Sequence, residues 1–418
     1  MKAGFDKQKI TPNLDDTKLE LSGYGYFLNR YAQGTLDDLY VTSMILEGDN
    51  GETIAFASAD LIGLSDWIVD NVKKRVVNKA DIPPSNILLA ATHTHSGPAT
   101  VELVGCGEVD ESYAGDIINI ISDSIINAYK KLGSARVGIG TTNLPDVSYN
   151  RTGGTDLDIT LSVMKINGAS PGFLINYPCH PVIFGKDSRM ISRDYPGAVA
   201  DFCDGYVLWS TGCCADVDPI VNRTSKNKTN QEDLLVMGRK IAETTKSLEE
   251  TITMDHFNIH VATREVYLPF NTSFTLDKEK EVKEFKNSSS KLELDAPIEG
   301  FIRYLDIVEE RLKRDTCPGR EANITGVKIG DLSFIALPCE IYTSTGLMIK
   351  KRFPQTIVSA YTNGDIGYIP PRAEFESFGS YGAGRAQLIY NPFPFTSGVE
   401  QLLVNGVFDV LNDLEHRS

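Results

Sequence analysis

Pro83-Pro84-Ser85-Asn86-Ile87-Leu88-Leu89-Ala90-Ala91-Thr92-His93-Thr94-His95-Ser96-Gly97-Pro98 opens on a breaker pair, passes through an apolar run and closes on two histidines. The run Ile87–Ala91 reads as a short buried strand. Beyond its end, His93 and His95 stand two residues apart. In extended backbone such residues point to one side, so both imidazoles can face one cavity. Ligands in α/β sheets collect beyond the carboxyl ends of strands, which makes the pair a candidate for holding a metal. Two histidines satisfied by neighbouring carbonyls would leave the same trace.

Outward from this stretch, strand-like and helix-like runs alternate, which argues an α/β class. Val41–Leu46 and Thr53–Ala59 read as strands, Asp66–Asn78 as an amphipathic helix, and Glu111–Leu132 as a helix ending at Gly133. Further strands are expected at Arg136–Gly140, Thr160–Ile166, Gly172–Tyr177 and Tyr206–Ser210. Asp233–Leu248 reads as a helix and Phe257–Leu268 as a long strand. From Asn271 to about Arg320 the chain turns Lys-, Glu- and Ser-rich. That stretch reads either as a helical insertion acting as a lid or as a solvated helical hairpin. Strands return at Asn323–Ile329, Leu332–Leu337 and Thr356–Tyr361. A loop rich in Gly, Pro and aromatics, Thr362–Pro394, precedes a last helix from Ser397 to about Leu414.

The chain has six histidines, and a third one repeats the first context. Phe173–Tyr177 runs into Pro178-Cys179-His180-Pro181, where a loop residue capped by its surroundings is the plain alternative. Leu332–Leu337 runs into Pro338-Cys339-Glu340. Two imidazoles and a carboxylate at strand ends are the usual ligand types of a catalytic zinc that keeps one position open for water. Cys179, Cys213, Cys214 and Cys339 lie in the same kind of loop. Without C-x-x-C pairs they read as small buried packing residues rather than ligands. His256 and His260 fall in an apparent strand, where their spacing makes no helical chelate. G-x-S-x-G, H-E-x-x-H and P-loop motifs are absent.

The 418 residues are 41% hydrophobic and 23% charged, an ordinary globular composition. They carry 41 basic against 56 acidic residues, for a net charge of -15. Nucleic-acid binding leans on Lys and Arg neutralising phosphates, and no basic run offers that. Anionic membranes repel such a chain at long range, and no stretch reaches the roughly 18–20 apolar residues of a membrane span. The expected partner is a small-molecule substrate. Residues 1–7 lack the apolar core of a secretory leader. Seven cysteines are an odd number, so one thiol at least is unpaired within the chain. Together these point to the cytoplasm.

The segment Thr92–Pro98 resembles the histidine signature of the neutral (non-lysosomal) ceramidases, zinc-dependent amide hydrolases. Other segments follow in that family's order. They are Ala3–Pro12, Gly23-Tyr24-Gly25, Asp38-Leu39-Tyr40, Ser58–Leu61, Asn150-Arg151, Pro178–Pro181, Gly212–Pro219, Leu337–Glu340 and Gly367–Pro370. The resemblance runs over the whole chain and implies mixed β-sheets flanked by helices. Carried over position by position, it implies zinc on His93, His180, Glu340 and Tyr368, with a buried phenol bonded to a loop carbonyl as the plain alternative for Tyr368. It places His95, Arg151 and Tyr381 on the substrate side, orienting and polarising the scissile carbonyl. A backbone N–H within Gly23–Gly25 would complete an oxyanion site. The implied reaction is attack of metal-activated water on an amide, with ester or glycoside cleavage, or a vestigial non-catalytic site, as the alternatives.

Three departures qualify the substrate. The family's C-terminal β-rich domain has no counterpart here, so residues 1–418 are expected to form one catalytic unit. Family members are typically secreted or membrane-associated. Asp218 stands where ceramidases carry a serine. The expected substrate is therefore more polar than ceramide. The aromatic and charged residues mixed along Thr362–Pro394 (Tyr368, Phe375, Phe378, Tyr381 and Tyr390 with Arg372, Glu374, Glu376 and Arg385) agree with that expectation.

Overall fold

The first strand is one that the sequence patterning hides. Lys2–Lys9 is charged and broken by a glycine, yet it lies in the middle of the main sheet, antiparallel to Tyr40–Glu47 on one side and to Gly133–Asn143 on the other. Gly4 is needed there because the helix Glu111–Lys130 crosses so closely that a Cβ would stand 2.2 Å from the Ala128 carbonyl oxygen. Lys131 pairs with Asp6 at 2.6 Å beside this crossing. The computed structural model describes residues 1–15, 18–26, 29–224, 230–254, 256–287, 296–376 and 380–417.

The main sheet runs Tyr206–Thr211, Gly172–Tyr177, Thr160–Gly168, Gly133–Asn143, Lys2–Lys9, Tyr40–Glu47, Thr53–Ala59, Ile87–Ala91, and Ile252–Met254 adds to Gly133–Asn143. Its two end pairs are parallel and the interior pairs antiparallel. The expected mixed α/β architecture is therefore present. A second, four-stranded sheet is built from Ile259–Pro269, Gly319–Ile329, Leu332–Ala336 and Thr356–Ser359.

Period-two alternation sorts the strand residues into layers. Ile54, Phe56 and Leu88 face the second sheet, where they meet Val327, Phe334 and Ile357. Ala55, Ala57 and Leu89 face the helices Asp66–Val77 and Glu111–Lys130. Farther along, Tyr177, Val207 and Trp209 pack under Asp194–Phe202 and Gln231–Ser247. The second sheet is backed by Thr343–Arg352 and Val399–Arg417. The result is helices, sheet, sheet, helices. Phe56 and Phe334 meet edge-on across the middle, with centroids 5.1 Å apart.

The main sheet curls until its ends touch. Ser58 Oγ donates to the Trp209 carbonyl at 2.6 Å, and Thr211 Oγ1 to the Thr92 carbonyl at 2.7 Å. The second sheet closes on the same point. Asn363 N donates to the Leu89 carbonyl at 2.8 Å, and Asn176 Nδ2 to the Val358 carbonyl at 3.1 Å. The carboxyl ends of three strands, Ile87–Ala91, Gly172–Tyr177 and Leu332–Ala336, thereby converge.

The stretch 271–320 is an excursion between two paired strands, since Pro269 faces Gly319 across the second sheet. Residues 288–295 of it lie outside the described residues. The rest holds the helices Lys278–Asn287 and Ile298–Arg314. These bury Phe285, Phe301, Tyr304, Leu305 and Val308 against Tyr26, Val101, Leu103, Leu388 and Ile389. The hairpin is thus packed onto the body of the protein. Among the described residues no helix is long and apolar enough to cross a membrane.

One buried acid near the convergence sets a pH dependence of stability. Asp60 accepts from Tyr40 N at 2.9 Å, and burial pushes its carboxyl up to about 7 against the opposing Arg193. The folded state then holds this proton more tightly than the unfolded chain, whose aspartates titrate near roughly 3.9. The stabilisation is complete below about pH 4 and is lost as pH rises through 7, by up to about 4 kcal/mol. Urea unfolding at pH 4.5 and 8 should show a smaller loss for Asp60→Asn than for the parent. Equal losses would refute the assignment.

Candidate metal centre

Each of the three histidines is oriented through the backbone of another segment. His93 sits at φ 69°, in the left-handed region that a non-glycine residue occupies only at a cost. Its N–H donates to the Leu61 carbonyl at 2.8 Å, its Nδ1 meets the Ile62 carbonyl at 2.6 Å, and its ring stacks on Tyr361 with centroids 3.8 Å apart. His180 is held by the short pairing of Ser148–Asn150 with Val217–Pro219. Its N–H donates to the Val217 carbonyl and its Nδ1 lies 2.6 Å from the Cys214 carbonyl.

A carbonyl only accepts, so in both rings the proton sits on Nδ1 and the Nε2 lone pair is left for a ligand. The Nε2 atoms converge. His95 Nε2 lies 3.3 Å from His93 Nε2, and among the described residues His93, His95 and His180 form a group whose ligand atoms can hold one metal ion. His180 Nε2 and His95 Nδ1 are buried without a hydrogen-bond partner. The unpartnered His180 Nε2, gathered with the His93 and His95 ring nitrogens, offers buried lone pairs to one point, so the residues present fit a metal.

Electrostatics keep two of the rings neutral; in the third, burial opposes the charge of His180, but Cys214 and Glu340 push it up to about 10. Burial pushes His93 down to about 3 despite the nearby Glu340 carboxylate. Burial, and then the neighbouring His93 and His180, hold His95 well below the usual histidine range. Glu340 Oε2 lies 3.4 Å from His180 Nε2 and 3.8 Å from His93 Nε2. Burial opposes its ionisation, but hydrogen bonding to His180 and Tyr390 and the positive charge of His180 win and bring it to about 2. Its position comes from a two-residue parallel pairing, Glu340–Ile341 with Tyr368–Ile369. Two sets of three therefore share His93 and His180, one completed by His95 and one by Glu340.

Around this centre the structure gathers the other expected residues. Arg151 is fixed three ways: to Asp218 Oδ1 at 3.2 Å, to the Ala215 carbonyl at 2.6 Å and to Tyr368 Oη at 3.1 Å. Tyr381 stands edge-on to Tyr368, with centroids 6.0 Å apart. Gly23, at φ +101°, lies against the imidazole of His95, where a Cβ would come within 2.5 Å of the ring. Tyr24 meets the same ring edge-on. A Cβ at Gly25 would make only ordinary contacts.

Two tyrosines join the site that sequence reasoning did not assign to it. Tyr361 Oη donates to Glu340 Oε2 at 3.2 Å, and Tyr390 Oη to Glu340 Oε1 at 2.5 Å. Tyr361 falls inside the stretch expected to be strand, which in the structure ends at Ser359. The other histidines stay away: His256 pairs with Asp49 at the surface and His260 sits in the second sheet. All seven cysteines are free thiols, and Cys179, Cys213, Cys214 and Cys339 are buried as packing residues. Phe378 lies outside the described residues.

Residues 2–207 match the sequence family "Neutral/alkaline non-lysosomal ceramidase, N-terminal". A solved ceramidase complexed with C2 is similar to this chain at a TM-score of 0.77, covering 100% of this chain and 75% of its own at 16% identity. The neutral ceramidase of Pseudomonas aeruginosa is similar at 0.74, over 97% of this chain and 73% of its own, at 17% identity. Residues 2–207 of the chain are thus similar to the neutral/alkaline non-lysosomal ceramidase family, and along its length the chain has the fold of the solved ceramidases.

Proposed function

We propose that the protein is a zinc-dependent hydrolase that cleaves an amide bond in a substrate more polar than ceramide. His93, His180, Glu340 and Tyr368 hold the metal in this reading, and His95, Arg151 and Tyr381 face the substrate. The observation that carries it is the convergence of buried imidazole Nε2 atoms whose Nδ1 atoms are committed to backbone carbonyls. The family implies hydrolysis of amides. A bound zinc supplies Lewis acidity and a nucleophile at neutral pH.

The chain's own residues do the rest. Arg151, immobilised by its three partners, offers a fixed cation to a carbonyl oxygen as charge builds on it. His95, kept neutral, has a ring nitrogen able to take up a proton next to the reacting centre. The backbone of Gly23–Gly25, drawn against the His95 ring, supplies N–H donors on that side.

Substrate polarity rests on the Arg151–Asp218 pair, which puts two charges beside the centre with their side chains 8% and 13% exposed. Such a wall suits hydroxyl, amine or carboxylate groups and not an alkyl chain. The segment 271–320 acts as a lid in this reading, because its helices pack on Val101, Leu103 and Val104, which follow His95 in the chain. The seven free thiols support a cytoplasmic location.

The deciding experiment pairs metal analysis with a substrate panel. Purified protein is expected to carry about one zinc per chain. Short polar N-acyl amides should be turned over with kcat/KM at least about tenfold above long-chain ceramide, the scale of one lost polar contact. Efficient ceramide turnover with no activity on polar amides would refute the substrate class. Exclusive cleavage of esters or glycosides would move the same centre to another bond. Sub-stoichiometric metal with no turnover would mark a binding protein.

A further inference from the structure

A cavity of about 1350 Å³ forms a groove between residues 100–111 and the helix Ile298–Arg314. None of His93, His95, His180 or Arg151 lines it. Tyr390 does, and its hydroxyl is the one bonded to Glu340.

Two groups in this groove are unfinished. Asp365 is 4% exposed. Its Oδ1 accepts from Gly367 N at 3.1 Å, but Oδ2 is buried without a partner. Gly63 leaves room beside that oxygen, since a Cβ there would stand 3.0 Å from it. A buried polar atom left bare costs roughly 1–3 kcal/mol, so the site has a reason to recruit a donor. Burial and the nearby Glu340 hold the Asp365 carboxyl well above the ordinary range, and a ligand ammonium beside it would favour the charged form.

The second group is Arg311, whose Nη1 is also buried and unpartnered. Its Nη2 reaches Glu102 only at 3.9 Å, and Arg303 reaches Glu108 at 3.7 Å; both glutamates are 85% exposed. Loose, exposed pairs of this kind contribute little, so an incoming anion displaces them at small cost. Arg320, by contrast, is committed to Asp66 at 3.0 Å and Asn391 at 3.2 Å. Trp67, 54% exposed, adds an aromatic face to the lining.

We infer that this groove is a second binding site, separate from the metal centre, for a small amphoteric molecule whose anionic end pairs with Arg303 and Arg311 and whose ammonium or hydroxyl end donates to Asp365. Tyr390 lies between the two sites, touching Glu340 on one side and the groove on the other.

The test is calorimetric titration of the full chain with β-alanine, γ-aminobutyrate and 6-aminohexanoate, which span a range of lengths between the two charges. At least one should bind saturably. Arg311→Gln and Asp365→Asn should each weaken it about tenfold or more, the value of a charge-assisted hydrogen bond, while His93→Ala leaves the affinity unchanged. Arg311 sits on a partly exposed helix, so its variant keeps the test valid if Asp365→Asn fails to fold. Absence of binding by all three probes, binding indifferent to both variants, or binding lost with His93→Ala would each overturn the proposal. The last would locate the probe at the metal centre. None of these readouts depends on hydrolysis, so the groove and the proposed reaction stand or fall apart.

Discussion

Purified His93→Ala protein is expected to lose most of its bound metal and at least about 10³-fold in hydrolytic rate, since a catalytic metal supplies several kcal/mol of transition-state stabilisation. The geometry gives the reason. His93 Nε2 lies within reach of both His95 and Glu340, so its removal opens whichever set of ligands the metal uses. His93 also occupies left-handed backbone, and alanine there adds a conformational cost of its own. His93→Asn separates the two effects, because asparagine tolerates that region far better. Both variants should lose metal by elemental analysis, and the asparagine protein should keep a near-parental unfolding midpoint. Full metal retention in either would sink the ligand assignment.

The second large effect is on stability. Arg151→Met should cost about 3–5 kcal/mol, because it leaves the Asp218 carboxylate in a nearly closed environment without its cation. Its side chain is fixed by Asp218, the Ala215 carbonyl and Tyr368, and burial opposes its charge while Asp218 and Tyr368 hold its pKa well above the ordinary value. The double variant Arg151→Met/Asp218→Leu removes both charges and should recover much of that loss. A double-mutant cycle from urea melts gives the coupling directly. If the double variant is as unstable as the sum of the singles, the pair is not coupled and the polar wall proposed for the substrate loses its basis. Activity should stay low in both, because the fixed donor is gone in each.

His93, His95, His180 and Glu340 were legible because polar ligand types are rare immediately beyond apolar strands. Thr53–Ala59 and Gly172–Tyr177 were readable to the residue, since short apolar runs bounded by turns carry their own limits. Lys2–Lys9 was not. Its neighbours, not its composition, make it a strand, and its glycine records a helix crossing encoded over a hundred residues later. Tyr361 and Tyr390 were hidden for another reason. A tyrosine is at home in any core, so nothing local marks the two whose hydroxyls meet one carboxylate. The division of strands between two sheets was equally out of reach, because Leu332–Ala336 and Gly172–Tyr177 look alike in sequence and differ only in distant partners.

The closure of the edge strand Ile87–Ala91 has a consequence for how the chain is made. Ala91 N donates to the Tyr361 carbonyl at 3.1 Å, and Leu89 N to Asn363 Oδ1 at 3.0 Å. Until the ribosome has released residue 363, that edge offers its unpaired amides, flanked by bare imidazoles, to any neighbouring chain. A nascent polypeptide stalled before this point leaves that edge and the His93 ring uncovered. The late arrival of Tyr361–Asn363 covers both in one step.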